Sequence, residues 1–199
     1  SEMLIESSKH PGRGLVGLNV YILRRSLLIR LVHAAHAKGY ESFERDILQK
    51  QQENLDLYCY EFDGYCAVVD DVASYFASNM GMLDTEVKNS LFGADKGTIF
   101  TKIKDSAPAM YGESAKVSGS LIADGCVIDG TVENSIIFRD VKIEKGAYIK
   151  NSIIMQDTHI GEDVKLNYVI TDKNVQISSG RIASGFASFP VVVPKSTIL

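Results

Sequence analysis

Tryptophan is absent from the 199 residues, cysteine occurs three times and proline four times. The thiols Cys59, Cys66 and Cys126 are odd in number and match no zinc spacing, which excludes a disulfide scaffold and predicts a reducing, cytoplasmic setting. No apolar run approaches the roughly 18 residues that a transmembrane helix needs. Positive charge is not in excess either. Lys and Arg number 21 against 25 Asp and Glu, a net charge of −4, so neither nucleic acid nor a membrane is expected as a partner, and a small anion would need a local pocket. A phosphate-cradling glycine loop is missing, because Gly12-Arg13-Gly14 is too short and no P-loop pattern follows a strand. The chain opens at Ser1 without a charged-then-apolar leader, which predicts a piece of a longer polypeptide rather than a secretory precursor. At 45% hydrophobic and 23% charged, the composition suffices for one large domain or two small ones with a core.

What the sequence has instead is repetition. Gly119-Ser-Leu-Ile-Ala-Asp-Gly-Cys-Val-Ile128 matches Asn134-Ser-Ile-Ile-Phe-Arg-Asp-Val-Lys-Ile143 and Asn151-Ser-Ile-Ile-Met-Gln-Asp-Thr-His-Ile160, and Asn167–Ile177 is a fourth copy with one extra residue. Aliphatic residues recur six apart, as Ile122 and Ile128, then Ile137, Ile143 and Ile149, then Ile154, Ile160 and Leu166. This is neither the 3.6 period of a helix nor the unbroken alternation of an ordinary strand. Three such hexads make one triangular turn of a parallel β-helix, with one inward aliphatic per face and per coil. Residues from about 110 to 183 are therefore predicted to stack as a β-helix with Ile122, Ile137, Ile143, Ile154 and Ile160 buried, and Gly125, Gly130, Gly146 and Gly161 are assigned to corners where positive φ is needed. A β-sandwich of regular short strands is the alternative, but sandwich strands have no reason to repeat Asn-Ser-Ile-Ile verbatim.

The first part of the chain has no such period. Leu15–Leu23 reads as a strand, and Ser26 as the cap of a helix that runs to about Lys38 and stops at Gly39. A second amphipathic stretch spans about Ser42 to Gln52, and Leu55–Phe62 with Tyr65–Val69 reads as a hairpin turning at Asp63-Gly64. Asp70 or Asp71 caps a helix through Leu83 that presents Val72, Tyr75, Phe76 and Met80. Residues 85–109 read as a connector, giving domains 1–84 and 110–199 on either side of it.

Few residues carry obvious chemistry. His159, alone among the histidines in lying within the repeats, can serve as the general base of a hexapeptide-repeat acyltransferase, or simply occupy a solvated face. His33 and His36 lie three apart on a helix but lack the Cys, Asp or Glu that a metal pair needs. Asp70 and Asp71 can hold Mg²⁺ or cap a helix. Arg181 and Lys195 are candidates for an anion or effector site near the C-terminal coil.

One segment carries a resemblance. Gly64-Tyr-Cys-Ala-Val-Val-Asp-Asp-Val-Ala-Ser-Tyr-Phe-Ala-Ser-Asn-Met80 resembles the G-Y-W-R-D-V-G-T-I-x-x-Y-W-x-A-N-M stretch of ADP-glucose pyrophosphorylases, the glucose-1-phosphate adenylyltransferases. Tyr40-Glu-Ser-Phe-Glu-Arg-Asp-Ile47 is similar to their H-D-F-G-K-D-I-I, Gly17-Leu-Asn-Val-Tyr21 to G-I-Y-V-F, Asn151-Ser-Ile-Ile-Met155 to N-S-I-I-M and Ile170–Val175 to I-L-D-K-N-V. The resemblance covers nearly the whole chain but only the second half of the family's polypeptide, without its G-x-G-x-R-L-x-P-L-T loop. It implies the end of a nucleotidyltransferase-like α/β domain followed by a left-handed parallel β-helix. The implied reaction makes ADP-glucose and pyrophosphate from ATP and glucose 1-phosphate with Mg²⁺. The family's tryptophan and metal-binding aspartate fall on Cys66 and Val68 here, its arginine on Ala67 and a small glycine on Glu44. Such departures are similar to those of the non-catalytic, GlgD-type subunit. They imply that this chain binds no cofactor of its own and pairs with the catalytic subunit, while the family's β-helix implies oligomerisation and a response to small phosphorylated effectors. Self-association is expected as well, because an open-ended β-helix exposes strand edges and the apolar segment Phe189–Pro194 can cover such a surface. The competing expectations are an active fragment in which Asp70 or Asp71 replaces the missing carboxylate, and the acyltransferase built on His159.

Overall fold

A computed structural model describes residues 17–93, 97, 99–100 and 104–199. The short Gly12–Gly14 stretch, the start of the first expected strand at Leu15 and Val16, and parts of the connector lie outside the described residues. The chain divides into two compact units that meet in sequence at Asp63 and Gly64. No helix among the described residues is long and apolar enough to cross a membrane.

The first unit is helical. Helix α1 spans Arg25–Lys38 and ends where Gly39 adopts φ 64°, returning its N–H to the carbonyls of Ala35 and His36. The expected cap at Ser26 is not formed: Arg24 occupies the cap position, extended and without a side-chain hydrogen bond. A π-helical stretch follows at Phe43–Gln49, capped by Ser42, whose hydroxyl accepts the N–H of Arg45. The Asp46 carboxylate in turn accepts the N–H of Ser42 at 3.1 Å and the ammonium of Lys50 at 2.8 Å. The Lys50 hydrogen bond, helped by that backbone N–H, holds the Asp46 carboxyl down to about 2. Leu31, Ala35 and Ile47 form a small core with Leu23, Leu27, Tyr40, Phe43 and Leu55 against it.

None of the three expected strands, Leu15–Leu23, Leu55–Phe62 and Tyr65–Val69, forms among the described residues. Residues 17–24 and 54–70 carry no ladder hydrogen bonds, and Ile22, Tyr58 and Tyr60 are 99%, 90% and 91% exposed. Alternation of apolar residues specifies a strand only where neighbouring strands exist to pair with, and an isolated two-stranded pair is marginal in water.

Among the described residues, the second unit contains helix α2 (Val72–Gly81), helix α3 (Thr85–Phe92) and fifteen short strands. Helix α3 lies inside the expected connector, where Asp84 caps it by accepting the N–H groups of Glu86 and Val87. The strands run β1 (Met110–Tyr111), β2 (Lys116–Ser118), β3 (Leu121–Ile122), β4 (Val127–Ile128), β5 (Thr131–Glu133), β6 (Ile136–Ile137), β7 (Lys142–Ile143), β8 (Tyr148–Lys150), β9 (Ile153–Ile154), β10 (His159–Ile160), β11 (Lys165–Asn167), β12 (Val169–Thr171), β13 (Gln176–Ile177), β14 (Ile182–Ser184) and β15 (Val191–Val193).

Every third strand joins the same sheet. Sheet A is β1-β4-β7-β10-β13, sheet B is β2-β5-β8-β11-β14 and sheet C is β3-β6-β9-β12-β15, all parallel, the topology of a three-sided parallel β-helix. The six-residue spacing carries the chain from one sheet to the next. Ile128, Ile143, Ile160 and Ile177 stack inside sheet A, Val132, Ile149 and Leu166 inside sheet B, and Ile137, Ile154 and Val193 inside sheet C, each 3% exposed or less. Fully burying an aliphatic side chain is worth about 1.5–3 kcal/mol, so each coil contributes several such increments. Of the five isoleucines expected in the core, Ile122 alone is only half-buried, because it sits in the first coil with no coil beneath it.

The corners divide into two kinds. Gly125 and Gly146 adopt φ near 76°, as expected, and Asn134, Asp140, Asn151, Asp157 and Asp163 adopt the same left-handed region. Gly130 and Gly161 do not. They are needed for close approach: a Cβ on Gly130 would lie 2.6 Å from the carbonyl oxygen of Ala147, and one on Gly161 would lie 2.7 Å from the N–H of Ser179. At the corner between sheets B and C a serine stack satisfies the backbone. Ser120, Ser135 and Ser152 accept the N–H of Ser135, Ser152 and Val169 in turn, and each donates its hydroxyl to the carbonyl two residues earlier.

Candidate functional site

In the Ser-Ile-Ile phrases the second isoleucine points inward and the first points outward. The outer face of sheet C is consequently an aliphatic column of Leu121, Ile136, Ile153, Ile170 and Val192, in register from coil to coil. Water does not cover its centre. Phe76 of α2 packs on Ile153 and Ile170, with Tyr75, Met80, Phe138 and Tyr168 around them, and the Phe76 and Tyr168 rings meet 5.9 Å apart in a tilted pair. Helix α2, which the sequence groups with residues 1–84, is thus fastened to the β-helix.

The start of α2 fixes the residues that matter to the resemblance. Asp71 accepts the N–H of Ser74 at 2.6 Å, and Ser74 receives the N–H of Asp71 in return, a reciprocal cap. The Ser74 N–H bond, then its hydroxyl, hold the Asp71 carboxyl below its ordinary value. Asp70 accepts the Ser74 hydroxyl at 2.9 Å. Both carboxylates are therefore engaged with the helix start. Val68 lies just before them, 63% exposed, and Cys66 is exposed as well. A valine has no donor for a hard cation, and no group of three His, Cys, Asp or Glu side chains suited to a metal occurs among the described residues.

Beside the cap an open cleft of about 460 Å³ lies between α2 and the last coils of sheet C. Val69, Val72, Met155, Ile170 and Val192 supply its apolar surface, and Asp70, Asp71 and Asp172 its carboxylates. Tyr75 also lines it; burial, reinforced by the charge of Asp172, raises its hydroxyl above the ordinary value. Sequence reasoning missed this cleft, although the Ile-Ile doublets signal it: a face aliphatic on both sides requires an external cover.

The other candidates are dispersed. Arg181 and Lys195 are both exposed in the last coil, before β14 and after β15. His159 lies on the outer face of sheet A, half-buried, with Nε2 3.0 Å from Oε1 of Glu144 one coil below. His33 and His36 are exposed on α1. Glu44 accepts the hydroxyl of Tyr21 at 3.0 Å, a contact that burial and the carboxylate together use to raise the Tyr21 hydroxyl.

Comparison with known proteins agrees with this architecture. Residues 105–184 match the GlmU-like, C-terminal hexapeptide family. The chain is 39% identical over 181 residues to the glycogen biosynthesis protein GlgD of Bacillus subtilis (strain 168), an alignment covering 91% of this chain and 52% of that protein. It is 43% identical over 141 residues to GlgD of Geobacillus stearothermophilus, covering 71% and 40% respectively. A glucose-1-phosphate adenylyltransferase of Bacillus anthracis is 30% identical over 180 residues, 89% of this chain and 48% of that enzyme. The chain spans about half the length of the curated relatives it matches. Over about nine tenths of its length the chain is thus similar to GlgD and to the glucose-1-phosphate adenylyltransferases, and its β-helix matches the GlmU-like, C-terminal hexapeptide family.

Proposed function

We propose that this chain is the C-terminal part of a non-catalytic, regulatory or assembly subunit of the glucose-1-phosphate adenylyltransferase system of glycogen synthesis, working in the cytoplasm beside a catalytic subunit. In this reading residues up to about 84 end a nucleotidyltransferase-like α/β domain, and the β-helix winds left-handed. The observation that carries it is Val68. Where the resemblance puts a carboxylate for Mg²⁺, the side chain offers no oxygen, and the nearest carboxylates, Asp70 and Asp71, each commit one oxygen to Ser74 at the start of α2. Mg²⁺ therefore does not fit the residues present, and the chemistry belongs to the partner. There, fixed positive charge around the transferring phosphates would stabilise the developing charge.

The chain's own contribution is mechanical. The apolar seam between Phe76 and sheet C ties the segment bearing Val68 to the β-helix, so that a signal received by one is transmitted to the other through a packed contact. Small phosphorylated effectors, with Arg181 and Lys195 as contacts, are part of the same reading.

The test is pyrophosphate release from ATP and glucose 1-phosphate by the full-length protein purified without its catalytic relative. No turnover is expected, and none should be gained on Val68→Asp. Robust turnover by the protein alone would overturn the reading, and would mean that Asp70 or Asp71 leaves the cap to hold the metal.

A further inference from the structure

The charged groups around the α2 cleft are all of one sign. Asp70, Asp71 and Asp172 line it, and no Lys or Arg does. None of the three is ion-paired among the described residues, where the carboxylates of Asp46, Asp140, Glu133 and Glu144 hold the ion pairs. Each is instead steadied by a neutral donor on one oxygen: Asp70 by the Ser74 hydroxyl, Asp71 by the Ser74 N–H and Asp172 by the backbone N–H of Lys173. A carboxylate has about four lone-pair sites, so each keeps room for a further donor. Three like charges around one opening draw in a cation and turn away a phosphorylated molecule.

Between these charges the walls are apolar and fixed. Val72 stands on the first turn of α2, which the reciprocal cap pins, and α2 is seated by Phe76 on Ile153 and Ile170. Opposite it, Ile170 and Val192 are register partners on sheet C. Val192 is held at the last corner, where the chain opens into a hairpin: Phe186 and Phe189 exchange N–H···O hydrogen bonds at 3.1 and 3.0 Å. The N–H groups of Gly185 and Val191 root the base of that hairpin on the Asn167 and Tyr168 carbonyls of the coil beneath, each at 2.9 Å. Neither wall has to be ordered when a ligand enters, which favours binding.

The occupant must therefore combine positive charge with an apolar body. A bare metal ion has no such body, and no group of three side chains suited to a metal occurs among the described residues. An aliphatic stem with ammonium groups matches both features, since its methylenes cover apolar surface and its N–H groups donate to carboxylates in charge-assisted hydrogen bonds. We propose that the α2 cleft is a binding site for an aliphatic di- or polyamine, its stem on Val72, Ile170 and Val192 and its ammonium groups donating to Asp70, Asp71 and Asp172. Such a ligand touches α2 and sheet C at once and so tightens the seam between them. The proposal goes beyond the regulatory reading and does not rest on it: it needs only this chain, and its ligand is opposite in charge to the anions expected at Arg181 and Lys195.

The experiment is titration of the 199-residue chain with hexane-1,6-diamine at low ionic strength and neutral pH, read by calorimetry and by the methyl NMR signals of Val72, Met155, Ile170 and Val192. Saturable binding of one diamine per chain that moves these signals is expected. Propane-1,3-diamine carries the same two charges on a stem three methylenes shorter. It should bind at least about fivefold more weakly, because a fully buried methylene is worth about fourfold in affinity and an open cleft covers only part of each. Asp70→Asn combined with Asp172→Asn should raise the dissociation constant of the longer diamine about tenfold or more. Asparagine still accepts from Ser74 and Lys173, and Asp71 is left in place as the cap, so the unfolding midpoint of this variant is not lowered. No saturable binding up to about 10 mM, equal affinity for the two diamines, or a double variant that binds as the parent does would each overturn the proposal. Pyrophosphate release plays no part in the result.

Discussion

The two units use similar proportions of aliphatic sequence to very different effect. In the second, the inward residue of each coil lies on the inward residue of the coil below, and the central isoleucines are almost completely buried. In the first, a core of Leu31, Ala35 and Ile47 coexists with Val20, Ile22, Tyr58 and Tyr60 in solvent. Hydrophobicity does not separate them. Repetition does: a repeated phrase supplies each strand with partners of the same length and pattern from within the chain, so stability accumulates coil by coil. The strand-like segments of the first unit find no such partner among the described residues.

This contrast can be broken most sharply by paired aspartate substitutions. Ile143→Asp places a carboxylate inside sheet A, where no cation can reach it, and is expected to cost more than about 4 kcal/mol, with loss of hydrogen-exchange protection throughout the coils. Ile22→Asp, at a 99% exposed position, should change stability by no more than about 0.5 kcal/mol. Chemical denaturation of both variants checks the pair, and equal losses would refute the account of the first unit.

Glycine gives a smaller version of the same test. Gly130→Ala drives a methyl group against the Ala147 carbonyl and should cost about 1–3 kcal/mol, whereas Gly17→Ala, with nothing within 4 Å, should leave the unfolding midpoint unchanged. Ser152→Ala removes the acceptor for the buried N–H of Val169, at an expected cost of about 1–3 kcal/mol. The smallest effect concerns pH. Asp46 titrates near 2 in the folded chain, below its ordinary value of 3.8, so its contribution is complete above that ordinary value and is lost as the pH falls towards 2. Acidification from about 5 to 2 should thus loosen the Glu41 and Ser42 amides, and Lys50→Ala should move the Asp46 titration upwards, both readable by NMR.

Much of the second unit was legible because its determinants are local and periodic. The six-residue spacing indicates which isoleucines share a core, and the cap at Asp71 and the stop at Gly39 follow from residue types at helix ends. The candidate site was legible only in pieces. Val68 stands out by resemblance and Asp70 and Asp71 as a cap, yet the cleft that Asp70 and Asp71 line depends on Ile170 and Val192, about a hundred residues further along the chain. Ser26 failed as a cap because α1 begins two residues earlier than its sequence suggests, and Gly130 was assigned to the wrong cause because crowding by the next coil cannot be read from a glycine alone.

By itself the sequence determined the β-helix. Side chains six residues apart must face inward on successive sheets, and β-branched residues favour the stacked strands that result. Only the tertiary structure decided what covers the outer aliphatic column of sheet C, that the last corner opens into a rooted aromatic hairpin, and that the cleft beside α2 gathers three carboxylates. Those outcomes depend on which surfaces meet across long separations in sequence. A repeat specifies contacts between equivalent positions, and it is silent about the place where its own period ends.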